Sequence, residues 1–163
     1  MEIRTATPAD WQLIWPFLRE IVAAGETYTW PPDVTQEQAR RLWMPAPPAR
    51  TVVAVAPDGA VLGSAKLAPN QGGPGDHVAN ASFMVAPAAA GRGVGRALAE
   101  HVLAAARADG YRAMQFNAVV ATNTRAVALW RSLGFAVIGR VPEGFRHPTR
   151  GYVDLLVMHR RLD

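Results

Sequence analysis

Hydrophobic and polar positions follow two different periods along the chain, and the switches between them divide it into elements. Ile3–Thr5 is a short β-rich run. Thr7-Pro8-Ala9-Asp10 carries a capping hydroxyl, a proline suited to the first helical position and an acid for the first turn, the residues of a helix start. From there to about Ala24, Trp11, Ile14, Phe17, Leu18, Ile21 and Val22 recur at helical spacing, which predicts an amphipathic helix that Pro16 should kink or split. Glu26–Pro32 reads as a loop holding Tyr28, Trp30 and paired prolines, and Thr35-Gln36-Glu37-Gln38 is a capping box opening a helix to about Met44.

Beyond the prolines at 45, 47 and 48 the pattern turns β-like. Thr51–Ala56 and Val61–Leu67 form a hairpin around Asp58-Gly59, and His77–Val85 is a third strand of this group. A glycine-rich turn at 91–95 opens a helix from about Gly95 to Ala108. Ala113–Val119 is a strand, Asn123–Leu133 a helix closed by Gly134, and Phe135–Val141 and Tyr152–Met158 are final strands around a loop from Pro142 to Gly151. With no repeat and no linker, residues 1–163 are expected to form one α/β domain.

Composition narrows the chemistry. The chain of 163 residues is 50% hydrophobic, enough for a core without staples. It has no cysteine, which excludes disulfides, thiolate metal sites and a thiol nucleophile, and leaves a reducing cytoplasm as the expected setting. His77 and His101 lack ligand spacing, so no metal is expected. The net charge is +4, with Lys66 as the single lysine beside 16 arginines. These arginines are scattered rather than striped, so no nucleic-acid partner is expected. No apolar run approaches the roughly 18 residues of a membrane helix, and Met1–Asp10 has no signal-peptide core, so no membrane partner is expected either.

The most informative segment is Val85-Ala86-Pro87-Ala88-Ala89-Ala90-Gly91-Arg92-Gly93-Val94-Gly95-Arg96-Ala97-Leu98. A strand runs into glycines and a helix begins at once. Helix N-termini hold phosphates with orphan N–H groups and a positive dipole end, and Arg92 and Arg96 add charge. The same glycines would also serve a plain turn. No Lys-Ser/Thr follows, so this is not a Walker loop, and its place after a hairpin does not suit a dinucleotide fold.

Val-x-Pro followed by Arg-Gly-Val-Gly-Arg-Ala-Leu resembles motif A of the GCN5-related N-acetyltransferase (GNAT) superfamily. Asn123-Thr124-Arg125-Ala126-Val127-Ala128-Leu129-Trp130-Arg131-Ser132-Leu133-Gly134-Phe135 resembles its motif B, at the family's spacing. The resemblance implies a single α/β domain with a mixed, mostly antiparallel sheet of about six or seven strands flanked by about four helices. It implies acetyl-CoA as co-substrate: amides of Ala90, Gly91, Arg92, Gly93, Val94, Gly95 and Arg96 on the pyrophosphate, Met84 and Val85 along the pantetheine, and Asn123, Ala126 and Trp130 beside that arm. Many relatives are dimers, so a homodimer stays open. Ala90 departs from the family, which often has Gln or Arg there.

Many members resemble one another in a strand carboxylate as base and a motif-B tyrosine as acid. Here Asn80 and Trp130 stand at those places, and an indole N–H donates hydrogen bonds but does not reprotonate a thiolate. Asn80, Asn117 and Asn123 form an alternative set of neutral donors and acceptors, although Asn123 equally suits a helix cap. His77–Val85, Phe116–Asn123 and Gly151-Tyr152-Val153-Asp154 resemble the fungal azetidine-2-carboxylate N-acetyltransferase group. That implies a small α-amino or cyclic imino acid as acceptor, with Asn80 and Asn117 positioning it and Asn123 serving the acetyl or thiol end. Tyr28 and Trp30 would wall the acceptor pocket, and Arg146 would clamp a carboxylate. Glu26, Asp76 and His77 are the remaining candidate bases. The expected activity is acetyl transfer to the amine of a small molecule; a non-catalytic acyl-CoA-binding domain and a protein N-acetyltransferase are the other readings.

Overall fold

The computed structural model describes residues 1–163. Seven strands form one sheet: β1 (Glu2–Thr5), β2 (Arg50–Val55), β3 (Val61–Pro69), β4 (Val78–Val85), β5 (Ala113–Val120), β6 (Ala136–His147) and β7 (Gly151–Arg161). Their order is β1-β2-β3-β4-β5-β7-β6, and β4–β5 is the single parallel pair. The helices are α1 (Trp11–Ala24), α2 (Gln36–Trp43), α3 (Val94–Ala108) and α4 (Thr124–Ser132). This is the expected architecture of a mixed, mostly antiparallel sheet with four helices.

Strand alternation sorts the residues onto two faces. Ala65, Leu67, Ala79, Ala81, Met114 and Phe116 bury against Val94, Leu98, Val102 and Leu103 of α3 and Trp130 of α4. Val53 and Met84 point the other way, into a second cluster with Trp11, Ile14, Leu18 and Val22 of α1 and Trp43 of α2. Trp43 is tied to the sheet by its indole N–H, which donates to Ser64 Oγ at 2.9 Å. Lys66 completes this seam: its Nζ donates to the Leu42 carbonyl at 2.8 Å, lies 5.9 Å from the Trp43 ring centroid, and burial lowers its pKa.

Two sequence expectations need correction. Pro16 does not split α1, which is continuous from Trp11 to Ala24. The apolar stripe holds it, since Trp11, Ile14, Phe17, Leu18 and Val22 are all buried. The loop expected over Pro142–Gly151 is mostly strand: Phe145 pairs with Val153, Arg146 with Tyr152 and His147 with Gly151. Pro142 misled because proline breaks ladders; here it sits in a bulge on an edge strand, where no ladder bond is asked of it. Asp154 fixes that bulge, accepting from Glu143 N at 2.9 Å and Arg140 Nη1 at 2.7 Å.

Asp10 joins the start of α1 to β1. It is 4% exposed, accepts both Arg4 guanidinium nitrogens at 2.8 and 2.9 Å, and accepts the Thr7 amide at 2.6 Å. The Arg4 hydrogen bonds, helped by Thr7, hold its carboxyl well below the usual carboxylate range. Asp10→Ala is expected to cost about 1–3 kcal/mol at neutral pH, because it leaves these donors unpaired. A depressed folded-state pKa stabilises above the unfolded value and is lost as pH falls toward the folded one, so the gap between wild type and variant in urea melts should close in acid.

Candidate active site

β4 and β5 stay paired only at Val78–Ala113 and Ala79–Met114, and then part. At the first unpaired step Asn80 Nδ2 donates to the Gln115 carbonyl at 2.9 Å, so a side chain takes the place of the next ladder bond. On the far side, β5 shifts register against β7 between Phe116 and Val119, which leaves Asn117 and Ala118 in a bulge. The gap opens into a cleft of about 450 Å³. One wall is aromatic, with Trp130 centred 4.9 Å from Phe83 and 4.8 Å from Phe116.

Backbone groups of alternate residues in a strand point to opposite neighbours. The Ala86 amide bonds the Leu62 carbonyl next to β3, and the His77 carbonyl accepts from Arg112 next to β5, both at 2.9 Å. Even-numbered residues of β4 therefore address β3, and odd-numbered ones address β5. Past the parting point, the amides and carbonyls facing the cleft are those of Ala81, Phe83 and Val85. Met84, expected beside Val85 on the cofactor arm, also lines the cleft, but its backbone faces Ser64 of β3 and its side chain packs in the α1–α2 cluster.

The glycine turn follows at the end of β4. Gly91 and Gly93 have φ of 76° and 78°, the left-handed region that favours glycine. The first bond of α3 is Ala97 N to Gly93 O at 3.0 Å, so six consecutive amides, Gly91 to Arg96, have no acceptor within the protein. The Ala90 amide is different from expectation: it is already bonded to Pro87 O at 3.1 Å. Arg96 also departs, since its guanidinium donates to Ser132 Oγ at 2.7 Å and lies 3.7 Å from Glu100. Its amide remains in the turn while its charge is drawn along the helix. Arg92 stays exposed and unpaired. A Cβ at Gly91 would lie 3.9 Å from Arg125 Nη2, so Arg125 overhangs the turn. Arg125 is not among the residues that the sequence singles out, although it follows Asn123 by two positions.

The remaining side chains divide clearly. Asn80, Asn117, Asn123, Ala126 and Trp130 line the cleft, as do Tyr28 and Trp30 from the α1–α2 loop. Asn123 Oδ1 caps α4 by accepting from Ala126 N at 3.4 Å, which leaves its Nδ2 without a partner. Tyr28 donates its hydroxyl to the Phe83 carbonyl at 2.8 Å, and burial raises its pKa, so it remains a neutral donor. Arg146 is not brought in: it lies exposed on β6 opposite Tyr152. Glu26, Asp76 and His77 are exposed and outside the lining. No Asp, Glu, Lys, Arg or His lines the cleft at all. Phe83 and Ser82 line it without having been singled out, because their positions depend on where the strands part.

A parted parallel strand pair, with free amides at a helix start beyond it, is the frame of an enzyme that takes an acyl group from a coenzyme A thioester. Residues 15–135 match the Acetyltransferase (GNAT) family, and the chain belongs to that family. It is similar to a solved GCN5-related N-acetyltransferase from Kribbella flavida, at 63% identity and a TM-score of 0.95, over 98% of this chain and 96% of that one. It is also similar to a phosphinothricin acetyltransferase from Sinorhizobium meliloti solved with acetyl-CoA, at 26% identity and a TM-score of 0.87, over 98% and 87% of the two chains. Among curated proteins, N-acetyltransferase aca1 of Schizosaccharomyces pombe is 35% identical over 98 residues, 60% of this chain and 47% of that protein. The matched stretch thus spans about half of that relative. The protein is an acetyl-CoA-dependent N-acetyltransferase, and no helix is long and apolar enough to cross a membrane.

Proposed function

We propose that the acceptor is a small α-amino or cyclic imino acid, acetylated directly on its amine. The observation that carries this is the uncharged cleft, with carboxamides on its α1–α2 side and Tyr28 and Trp30 folded over it. Such a lining suits a small ligand that brings its own opposite charges. The phosphinothricin acetyltransferase likeness supports the same class.

Acetyl-CoA supplies an activated acyl carbon and a thiolate leaving group. The six free amides from Gly91 to Arg96, with Arg92 and Arg125, would hold its pyrophosphate, and the Phe83 and Val85 edge would pair with its amide arm. Asn80 and Asn117 would orient the acceptor so that its neutral nitrogen faces the thioester carbonyl. The C–N bond forms as the C–S bond breaks; the amine proton leaves to water and the thiolate takes one from water. With no cysteine in the chain, no acetyl-cysteine enzyme forms on the way.

Release of free CoA, measured across a panel of amino and imino acids, tests this reading. Turnover with several members is expected; background release throughout, while acetyl-CoA binds, would sink it. Asn80→Ala should raise the acceptor KM roughly tenfold, the scale of one lost hydrogen bond, with acetyl-CoA affinity retained. Equal loss of both would make Asn80 a strand tie only.

A further inference from the structure

We infer that Asn70 and Gln115 are positioning residues that hold the Asn117 carboxamide in one orientation at the acceptor end of the cleft. The inference rests on the proposed contact between Asn117 and the acceptor.

Strand registers bring these residues together. Ala68 pairs with Asn80 and Val78 with Ala113, so Asn70, Asn80, Gln115 and Asn117 share one face of the sheet by alternation. That face carries Met84 and the α1–α2 cluster, on the same side as Tyr28 and Trp30. Asn70 stands at the stem of the β3–β4 loop, pinned by its own amide to the Val78 carbonyl at 2.8 Å. From there its Oδ1 accepts from Asn117 Nδ2 at 2.7 Å, and Gln115 Nε2 donates to Asn117 Oδ1 at 3.0 Å.

Asn117 needs such a clamp. It lies in the β5 bulge, beyond the last β4 partner and without a β7 partner, so the sheet does not fix it. A lone exposed carboxamide turns over freely and exchanges donor for acceptor. Here a turn of Asn117 alone would set oxygen against Asn70 Oδ1 and nitrogen against Gln115 Nε2. With Asn70 and Gln115 oriented as they stand, one N–H and one lone pair of Asn117 remain for a ligand. An acceptor amine then meets a preset group and need not order it.

The polarity of the chain gives the test. Asn70→Asp keeps an oxygen acceptor for Asn117 Nδ2; Asn70→Leu removes it; Gln115→Glu sets an oxygen against Asn117 Oδ1. Steady-state kinetics use the amino or imino acid that releases CoA fastest, with acetyl-CoA affinity and melting temperature measured in parallel. Asn70→Leu and Gln115→Glu are expected to raise the acceptor KM about tenfold with acetyl-CoA affinity and melting temperature unchanged, and Asn70→Asp to stay near wild type. The inference is overturned if Asn70→Leu leaves the acceptor KM unchanged, if Asp is as damaging as Leu, or if acetyl-CoA affinity falls in parallel. Asn117→Ala separates the two levels. If it raises the acceptor KM while Asn70→Leu does not, only the clamp fails; if it has no effect, the acceptor reading fails and takes the clamp with it.

Discussion

Gly93→Asp is expected to lower acetyl-CoA affinity by at least about 100-fold while the protein still folds. Gly93 precedes the first turn of α3 at a left-handed φ of 78°, a region that Asp enters more readily than most residues other than glycine. Its carboxylate would put negative charge among the free amides, where a pyrophosphate belongs. Two or more charge-assisted bonds lost, at about 1.5–3 kcal/mol each, give that scale. Gly93→Ala is the control: it adds only a Cβ at a φ of 78°, with no atom within 4 Å of that Cβ, and should be far milder. Calorimetry with acetyl-CoA reads both. An Asp variant that binds as wild type does would remove the phosphate role from this turn.

The second large effect is on pH. Tyr28 is the one ionisable side chain lining the cleft, and burial raises its pKa, so its proton stays on across the working range. A group that does not titrate cannot shape the profile. With no carboxylate or imidazole there to take the amine proton, only the acceptor's neutral fraction changes with pH. The logarithm of kcat/KM should rise with a slope near one, about tenfold per pH unit, until the acceptor's own amine pKa is reached. Two acceptors with different amine pKa values distinguish the cases. Midpoints that follow the acceptor support solvent as the proton sink, and a shared midpoint would reveal a base on the protein.

Local features were readable in the sequence, and features that depend on where a side chain ends were not. The glycine turn is local: Gly91, Gly93 and the helix after them are adjacent in the chain, so the pattern is visible before folding. The fold followed from the element order. Arg96 and Arg92 look alike as letters, yet one turn of helix separates an arginine drawn to Ser132 and Glu100 from one left free. Arg146 looked like a loop residue because Pro142 looked like a terminator, and an edge-strand bulge absorbed that proline. Met84 against Phe83 is a matter of strand parity, which becomes visible only once β3 and β5 are known to lie on opposite sides of β4. Asn70 had no signal at all, since its partner is 47 residues away.

Lys66 has a consequence for a protein that handles a reactive acyl donor. It is the single lysine, and its nitrogen already donates to the Leu42 carbonyl, where it helps to seat α2. The arginines remain protonated and are poor nucleophiles at any ordinary pH. The polypeptide therefore offers its own thioester very few competing amines, and is largely shielded from self-acetylation by composition.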